Sequence, residues 1–146
     1  MSLLKEGIAF EDLELGMRAQ TVHRVSENDI RRFADLVGDY NPVHLDKAYA
    51  KTTIFKDCIA HGMLTSSYIS GIFGMKLPGP GAIYISQTLN FRAPVYAGDE
   101  ITASVEIVGL YPQKSRVKFA CECCNQAGTI VLLGEAILMV PSRDAT

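Results

Sequence analysis

The sequence predicts an α+β domain in which a curved antiparallel sheet wraps one long central helix. Residues 58–75 contain no Asp, Glu, Lys or Arg, and a helix that is apolar nearly all round is buried inside its protein. Four β-rich segments then follow in succession with short turns between them, which is typical of an antiparallel sheet. The chain has 146 residues, enough for one sizeable core, and we expect a single domain over residues 1–146.

The first half of the chain predicts one strand followed by helices. Ser26 resembles an N-cap, and apolar residues recur at helical spacing behind it until Gly38, a residue type that commonly ends helices. Pro42 lacks a backbone donor and restricts the residue before it, so the helix is not expected to continue there. The predicted elements are a strand at 17–25, a helix at 27–37, a polar loop at 39–44, a short helical turn at 46–50 and the uncharged helix at 61–74.

The second half of the chain predicts strands. Within residues 101–107, apolar and polar side chains alternate, which is the pattern of a strand with one buried face. Gly134 interrupts a long apolar run and predicts a bulge or a bend. The predicted strands cover residues 82–91, 99–111, 115–124 and 129–140.

Charge and hydropathy argue against two classes of partner. The chain has 14 Lys and Arg against 16 Asp and Glu, a formal net charge of −2, so no nucleic acid partner is expected. The uncharged stretch contains polar residues and is slightly short for a bilayer, so no membrane partner is expected either. The first 16 residues carry acidic side chains where a signal peptide has its apolar segment.

The four cysteines indicate a reducing compartment. Cys121, Cys123 and Cys124 lie in one short run and Cys58 stands far upstream, unlike the disulfide framework of a small secreted domain. We therefore expect reduced thiols and a cytoplasmic protein. Zinc sites commonly combine two pairs of ligands. The clustered cysteines have no matching second pair, so no metal is expected.

Asp39, Asn41 and His44 are the candidate catalytic residues. Asp39 and His44 stand five positions apart across a bend stiffened by Pro42, so a carboxylate and an imidazole can reach one bound water. Asn41 can donate and accept hydrogen bonds, and could orient that water or a substrate carbonyl. The same residue types are also common in turns, where Asp39 would only satisfy backbone donors.

A second candidate site is the start of the uncharged helix at His61 and Gly62. The first amide groups of a helix lack intrahelical partners and carry partial positive charge. Glycine allows a ligand to approach them closely, and such a helix start suits a developing oxyanion on a thioester carbonyl. Tight packing at Gly62 and a hydrogen-bonded buried ring at His61 are the structural alternatives.

These segments together resemble the MaoC-like (R)-specific enoyl-CoA hydratases. The likeness begins with residues 33–50 (FADLVGDYNPVHLDKAYA), and its most specific part is GDYNPVH at 38–44. It continues through residues 61–63 (HGM), 90–95 (NFRAPV) and 98–99 (GD), and covers nearly the whole chain. The resemblance implies a hot-dog fold, in which a curved antiparallel sheet wraps a long helix, in agreement with the pattern of elements.

The resemblance further implies (R)-specific hydration of trans-2-enoyl-CoA to (R)-3-hydroxyacyl-CoA, a reversible reaction of fatty acid metabolism that needs no cofactor. Asp39 and His44 match the pair that holds and activates the water, and Asn41 matches the residue that supports them. Gly62 matches the backbone donor to the thioester oxygen. Which of Asp39 and His44 accepts a proton and which donates one stays open on the sequence alone.

Three further residues are candidates for substrate binding. Ser70 falls where some members of the family place an active-site serine, and His61 and Tyr40 lie within the matching motifs. The substrate carrier could be coenzyme A or acyl carrier protein. Apolar strand faces beyond what one sheet and one helix can bury predict a homodimer, which the resemblance implies as well.

Two other functions stay open because a fold does not determine its chemistry. One is an acyl-CoA thioesterase on the same fold, and the other is a non-catalytic module that binds acyl thioesters. The intact Asp, Asn and His loop favours hydration over both. Hydrolysis without hydration would indicate the thioesterase, and binding without turnover would indicate the module.

Overall fold

A computed structural model describes residues 6–143, so residues 1–5 and 144–146 of the predicted domain lie outside the described residues. Its strands form one sheet of six, ordered β1-β4-β5-β6-β2 with β3 also beside β6. Every pair is antiparallel, as the sequence predicts. The strands are β1 (Arg18–Arg24), β2 (Ile83–Gln87), β3 (Asn90–Phe91), β4 (Glu100–Tyr111), β5 (Arg116–Cys124) and β6 (Ile130–Met139).

Local sequence signals position the first long helix as expected. The Ser26 hydroxyl accepts a hydrogen bond from the Asp29 amide at 3.0 Å, and the Asp29 carboxylate accepts one from the Ser26 amide. Gly38 ends the helix in the left-handed conformation with φ of 78°. The four α-helices are α1 (Glu27–Val37), α2 (Pro42–Leu45), α3 (Lys47–Ala50) and α4 (Gly62–Met75).

The segment predicted as a polar loop contains a helix, so that prediction is wrong in part. Pro42 occupies the first position of α2, where its missing amide hydrogen costs nothing and its fixed φ suits a helix. The Asn41 side chain caps this helix by accepting a hydrogen bond from the Val43 amide at 3.1 Å. Pro42 therefore begins a helix, and α1 has already ended at Gly38.

The strand predicted at 82–91 is divided. β2 and β3 both pair with β6, and residues 88 and 89 between them leave the strand conformation. β2 also lies at the far edge of the sheet and does not neighbour β4, the next long strand in the sequence. Consecutive strands are therefore not always neighbours in this sheet.

α4 lies against the sheet with one side covered. Ile69 and Ile72 are fully buried, and the helix contacts β1, β4 and β5. On the opposite side, Met63 and Met75 are 55% and 66% exposed. The sheet thus curves over one side of its helix, as expected, but does not close around it within the described chain. No helix among residues 6–143 is long and apolar enough to cross a bilayer.

Gly134 is required by close backbone approach, and the bulge predicted at this position is absent. The pairing of β5 with β6 runs through Gly134 without a shift. A Cβ atom at Gly134 would overlap the backbone carbonyl oxygen of Thr88, where the chain crosses from β2 to β3. The glycine therefore lets the divided strand lie close against β6.

We expect Gly134→Ala to lower the free energy of unfolding by about 1–3 kcal/mol. The added Cβ meets the backbone of Thr88, which cannot relieve the clash by a change of rotamer. Urea denaturation of the purified variant measures this. Gly109→Ala is the matched control, because the nearest atom to its added Cβ is the hydroxyl of Tyr111 at 2.8 Å, the tip of an exposed side chain. A loss within about 0.5 kcal/mol is expected there. Equal losses in the two variants would contradict the argument.

Candidate active site

Asp39, His44 and His61 come together from three separate elements. Asp39 follows the end of α1, His44 lies in α2, and His61 caps the N-terminus of α4. One side-chain oxygen or nitrogen from each lies within 4.8 Å of the others. The predicted meeting of Asp39 with His44 is therefore present, with a second imidazole beside it.

The proton of neutral His44 can be placed from its hydrogen bond. Its Nδ1 atom lies 2.6 Å from the carbonyl oxygen of Ile59. Since a carbonyl only accepts, Nδ1 carries the hydrogen and Nε2 keeps a lone pair. Burial lowers the pKa of His44 from its usual 6.5, although the Ile59 carbonyl and Asp39 act in the raising direction. The ring is therefore favoured as a neutral proton acceptor.

Asn41 supports the loop with its backbone and its side chain. Its amide nitrogen donates to the Asp39 carboxylate at 3.1 Å, and its side-chain oxygen caps α2 at the Val43 amide. A catalytic supporting role of Asn41 toward Asp39 and His44 stays a prediction. The side-chain oxygen already accepts the hydrogen bond that caps α2, so Asn41 stabilises the loop and the start of this helix.

Gly62 is the first residue of α4, so its amide has no intrahelical acceptor and lies at the positive end of the helix dipole. A Cβ atom at this position would lie 2.6 Å from Cε1 of Phe91. The phenyl ring therefore packs directly over the glycine. This close packing is the structural alternative considered for Gly62, and it coexists with an amide available at the helix start.

These groups border an apolar cleft of about 420 Å³, within the usual size of small-molecule sites. His44 and Gly62 contribute to its wall. A second cavity is lined by Asp39 and His61 and shares His44 and Gly62 with the cleft. His44 and Gly62 therefore lie where the cleft and this cavity meet. The apolar lining of the cleft includes Phe55, Ile59, Phe91, Val95, Val131 and Leu132.

Tyr40 and Ser70 are not brought into this arrangement. The Tyr40 side chain is 58% exposed, and its hydroxyl donates to the Asp35 carboxylate on α1 at 3.1 Å. Ser70 lies on the exposed side of α4, more than two turns beyond Gly62. Neither residue lines the cleft or the adjoining cavity.

Three residues of the cleft received no specific role from the sequence. Thr65 follows Gly62 by three positions, one helical turn, so helical spacing from Gly62 could have identified it. Its hydroxyl is buried and finds no hydrogen-bond partner in the described part of the chain. Phe91 and Arg92 also line the cleft. Both lie in the NFRAPV segment, which carried the resemblance without an assigned role.

The chemistry of the nearby donor atoms does not favour a metal centre. The rings of His44 and His61 are stacked at a centroid distance of 3.9 Å and an angle of 27°, so their nitrogen lone pairs run side by side instead of converging on one ion. The buried thiols of Cys121 and Cys123 have pKa values raised by burial to about 11 and about 12, which keeps them protonated and poor ligands.

Comparisons with known proteins identify the family of the chain. The family described as MaoC like domain matches residues 12–123. An (R)-specific enoyl-CoA hydratase from Rhodospirillum rubrum is 50% identical over 134 residues, which cover 92% of each chain. A 3-hydroxybutyryl-CoA dehydratase from Methylorubrum extorquens is 46% identical over 135 residues, which cover 92% of this chain and 85% of that one.

A solved structure has the same fold. The unliganded R-hydratase from Pseudomonas aeruginosa superposes with a TM-score of 0.88 at 46% identity, over 94% of this chain and 88% of that one. This likeness confirms the hot-dog fold expected from the sequence. Since the family match spans most of the chain and the two relatives align over nearly all of it, the chain belongs to the MaoC-like family.

Proposed function

We propose that this protein catalyses the (R)-specific hydration of trans-2-enoyl-CoA to (R)-3-hydroxyacyl-CoA, and the reverse dehydration. The observation that carries the proposal is the grouping of the Asp39 carboxylate, the unprotonated Nε2 of His44 and the Gly62 amide beside one apolar cleft. The curated relatives with the same activity class support it.

Each group has a defined part in the proposed reaction. Nε2 of His44 accepts a proton from water, while the Asp39 carboxylate accepts a hydrogen bond from the other O–H of that water, which stays on the oxygen and becomes the C3 hydroxyl. The water oxygen bonds to C3, and the electrons of the C2–C3 double bond move to the thioester oxygen, where the Gly62 amide stabilises the negative charge. The His44 imidazolium then returns its proton to C2 as the carbonyl re-forms.

The apolar lining of the cleft suits the uncharged part of an acyl thioester. We propose coenzyme A as the carrier, since the two named relatives act on CoA esters. Arg92 lies on the wall of the cleft, where its cation favours an anionic substrate. The four thiols are all unpaired, which supports a reducing compartment, and we propose the cytoplasm.

A hydration assay with crotonyl-CoA tests the proposed function. Loss of the conjugated double bond is followed by absorbance, free thiol is measured in the same samples, and the product is analysed for its chirality. We expect loss of the double bond without release of thiol, and an (R) product. Thiol release alone would indicate a thioesterase, and binding without either change would indicate a non-catalytic module.

We expect an acid limb in the pH profile of kcat/KM, set by His44. Protonation of Nε2 removes the base, so activity falls as the pH falls through a value below 6.5, because burial lowers the pKa of this histidine. His44 is therefore unprotonated to a greater extent at pH 7 than an ordinary histidine is. The residual activity of His44→Gln should lack this limb. A wild-type limb centred above pH 7 would contradict an unprotonated His44.

We also propose a homodimer, formed where β2 meets the exposed side of α4. Among residues 6–143, β2 ends the sheet and no strand pairs with its outer edge. Its apolar side chains Ile83 and Ile85 are 50% and 44% exposed. Tyr84 of the same strand packs edge-on against the buried Phe73 of α4 at 5.4 Å, so β2 lies beside this helix. An apolar, unpaired edge of this kind is a template for a second copy.

Sedimentation velocity measures the assembly. We expect a mass near twice the 15.9 kDa of one chain, and we expect Ile85→Lys to shift the protein toward the monomer by placing a charge on the edge strand. Ile54→Lys is the matched control, because Ile54 is 86% exposed in the loop before α4. A monomeric wild type, or two variants that behave alike, would overturn this interface.

A further inference from the structure

His61 is buried at the centre of the site, although the proposed hydration uses no atom of its side chain. Only 2% of its surface is exposed. Its Nε2 atom lies 3.1 Å from the backbone carbonyl oxygen of Asp39. One face of its ring stacks on His44, and Phe33 packs against the ring at 5.0 Å and 57°.

The hydrogen bond to Asp39 defines which ring nitrogen of neutral His61 carries the hydrogen. Because the Asp39 carbonyl only accepts, Nε2 carries the hydrogen and Nδ1 keeps the lone pair. Nδ1 is buried and has no hydrogen-bond partner within residues 6–143. The ring can stay stacked on His44 while His44 gains and loses its proton.

We propose that His61 is the positioning residue of this site: it fixes the turn that carries Asp39 and the ring plane of His44, and joins both to the helix start at Gly62. It can do so because it caps α4, so that its backbone leads directly into Gly62. The inference rests on the proposed hydration. It also replaces the expectation that His61 binds the substrate. The ring contacts Asp39 and His44, and we infer that it positions these residues.

The predicted consequence is a defect in turnover. Misplacing a reacting group by about 1 Å can lower a rate about 100-fold, and without His61 the ring of His44 and the turn at Asp39 each lose a contact that fixes them. His61 lines the adjoining cavity and not the apolar cleft, so ground-state binding of the acyl chain in the cleft should change little. The kcat and KM values therefore separate positioning from binding.

Three substitutions divide the role into its parts. His61→Gln keeps an Nε2 donor for the Asp39 carbonyl and lacks the stacked ring, whereas His61→Phe keeps a ring beside His44 and lacks the donor. His61→Ala removes both. His23→Phe is the matched control, because His23 is also a stacked histidine, 4.0 Å from Tyr68, with one side-chain hydrogen bond, to Thr21 at 2.9 Å.

The experiment measures kcat and KM for crotonyl-CoA, with circular dichroism and melting temperature for each variant. We expect His61→Ala to lower kcat about 100-fold with KM within about 3-fold of wild type. His61→Gln and His61→Phe should each recover part of kcat, and His23→Phe should match wild type. Partial recovery by both variants would indicate positioning. A general loss of folding would not depend on whether the replacement keeps the hydrogen-bond donor or the ring.

Wild-type kcat in His61→Gln and in His61→Phe would overturn the inference while leaving the proposed function intact. So would a loss confined to KM. If His61→Ala does not fold, the Gln and Phe variants decide the matter by the same criterion. A wild-type protein that hydrates no enoyl-CoA would instead refute the proposed function itself.

Discussion

Replacing Asp39 with Asn is expected to lower kcat for crotonyl-CoA hydration by roughly 100- to 10,000-fold, the usual contribution of a positioned acid or base. The substitution keeps the shape of the side chain. It also keeps an oxygen that can accept the hydrogen bond from the Asn41 amide, which lies 3.1 Å from the Asp39 carboxylate in the wild-type structure. The loop is therefore retained, and the change removes the charge that orients the water beside His44.

His44→Gln is expected to cause a loss of the same order, since it removes the Nε2 base from the wall of the cleft. In the proposed reaction both residues act on one water molecule, so the two losses should not add. The double variant Asp39→Asn/His44→Gln should be about as slow as the slower single variant. Losses that multiply would indicate that the two side chains act in separate steps.

The controls are residues of the same types away from the cleft. Asp12→Asn removes an exposed carboxylate paired with Arg143 at 2.6 Å, and His23→Gln removes the ring stacked on Tyr68. Both should keep the wild-type kcat. Normal turnover in Asp39→Asn or His44→Gln, measured on folded protein, would refute the assigned site.

Features that depend on neighbouring residues could be predicted from the sequence. Ser26 and Gly38 bound α1 through contacts within a few positions, and both ends agree with the structure. Asp39 and His44 could also be paired in advance, since only one short bend separates them. The antiparallel sheet followed from alternation along each strand, which is again a local property.

Features that depend on distant contacts could not be predicted in this way. The break between β2 and β3 arises where Thr88 meets Gly134, 46 positions later in the chain. The stacking of His61 on His44 requires the loop between α3 and α4 to return to the site. Tyr40 shows a further limit, because its place in the motif did not determine that its side chain turns toward α1.

Removing the Gly62 amide is the second change with a large expected effect, and proline can remove it while preserving the helix. Proline is favoured at the first position of a helix, and Gly62 occupies that position in α4. The preceding residue, His61, has φ of −59° and ψ of 133°, which is the extended conformation that a residue before proline adopts.

The packing of Phe91 over Gly62 requires a matched background. Any side chain at Gly62 meets the phenyl ring, so both replacements are made together with Phe91→Ala. Gly62→Ala/Phe91→Ala adds a Cβ atom and keeps the amide hydrogen, whereas Gly62→Pro/Phe91→Ala lacks that hydrogen. Comparison of these two variants isolates the amide from the effect of added bulk.

We expect kcat of the proline variant to lie roughly 100- to 1000-fold below that of the alanine variant, the usual cost of losing one oxyanion donor. KM should differ little, because the charge on the thioester oxygen develops only as water adds to C3. Equal kcat values in the two folded variants would show that the helix start does not stabilise this charge. The oxyanion would then need another donor, and the cleft offers the buried hydroxyl of Thr65, one turn along α4, as the next to test.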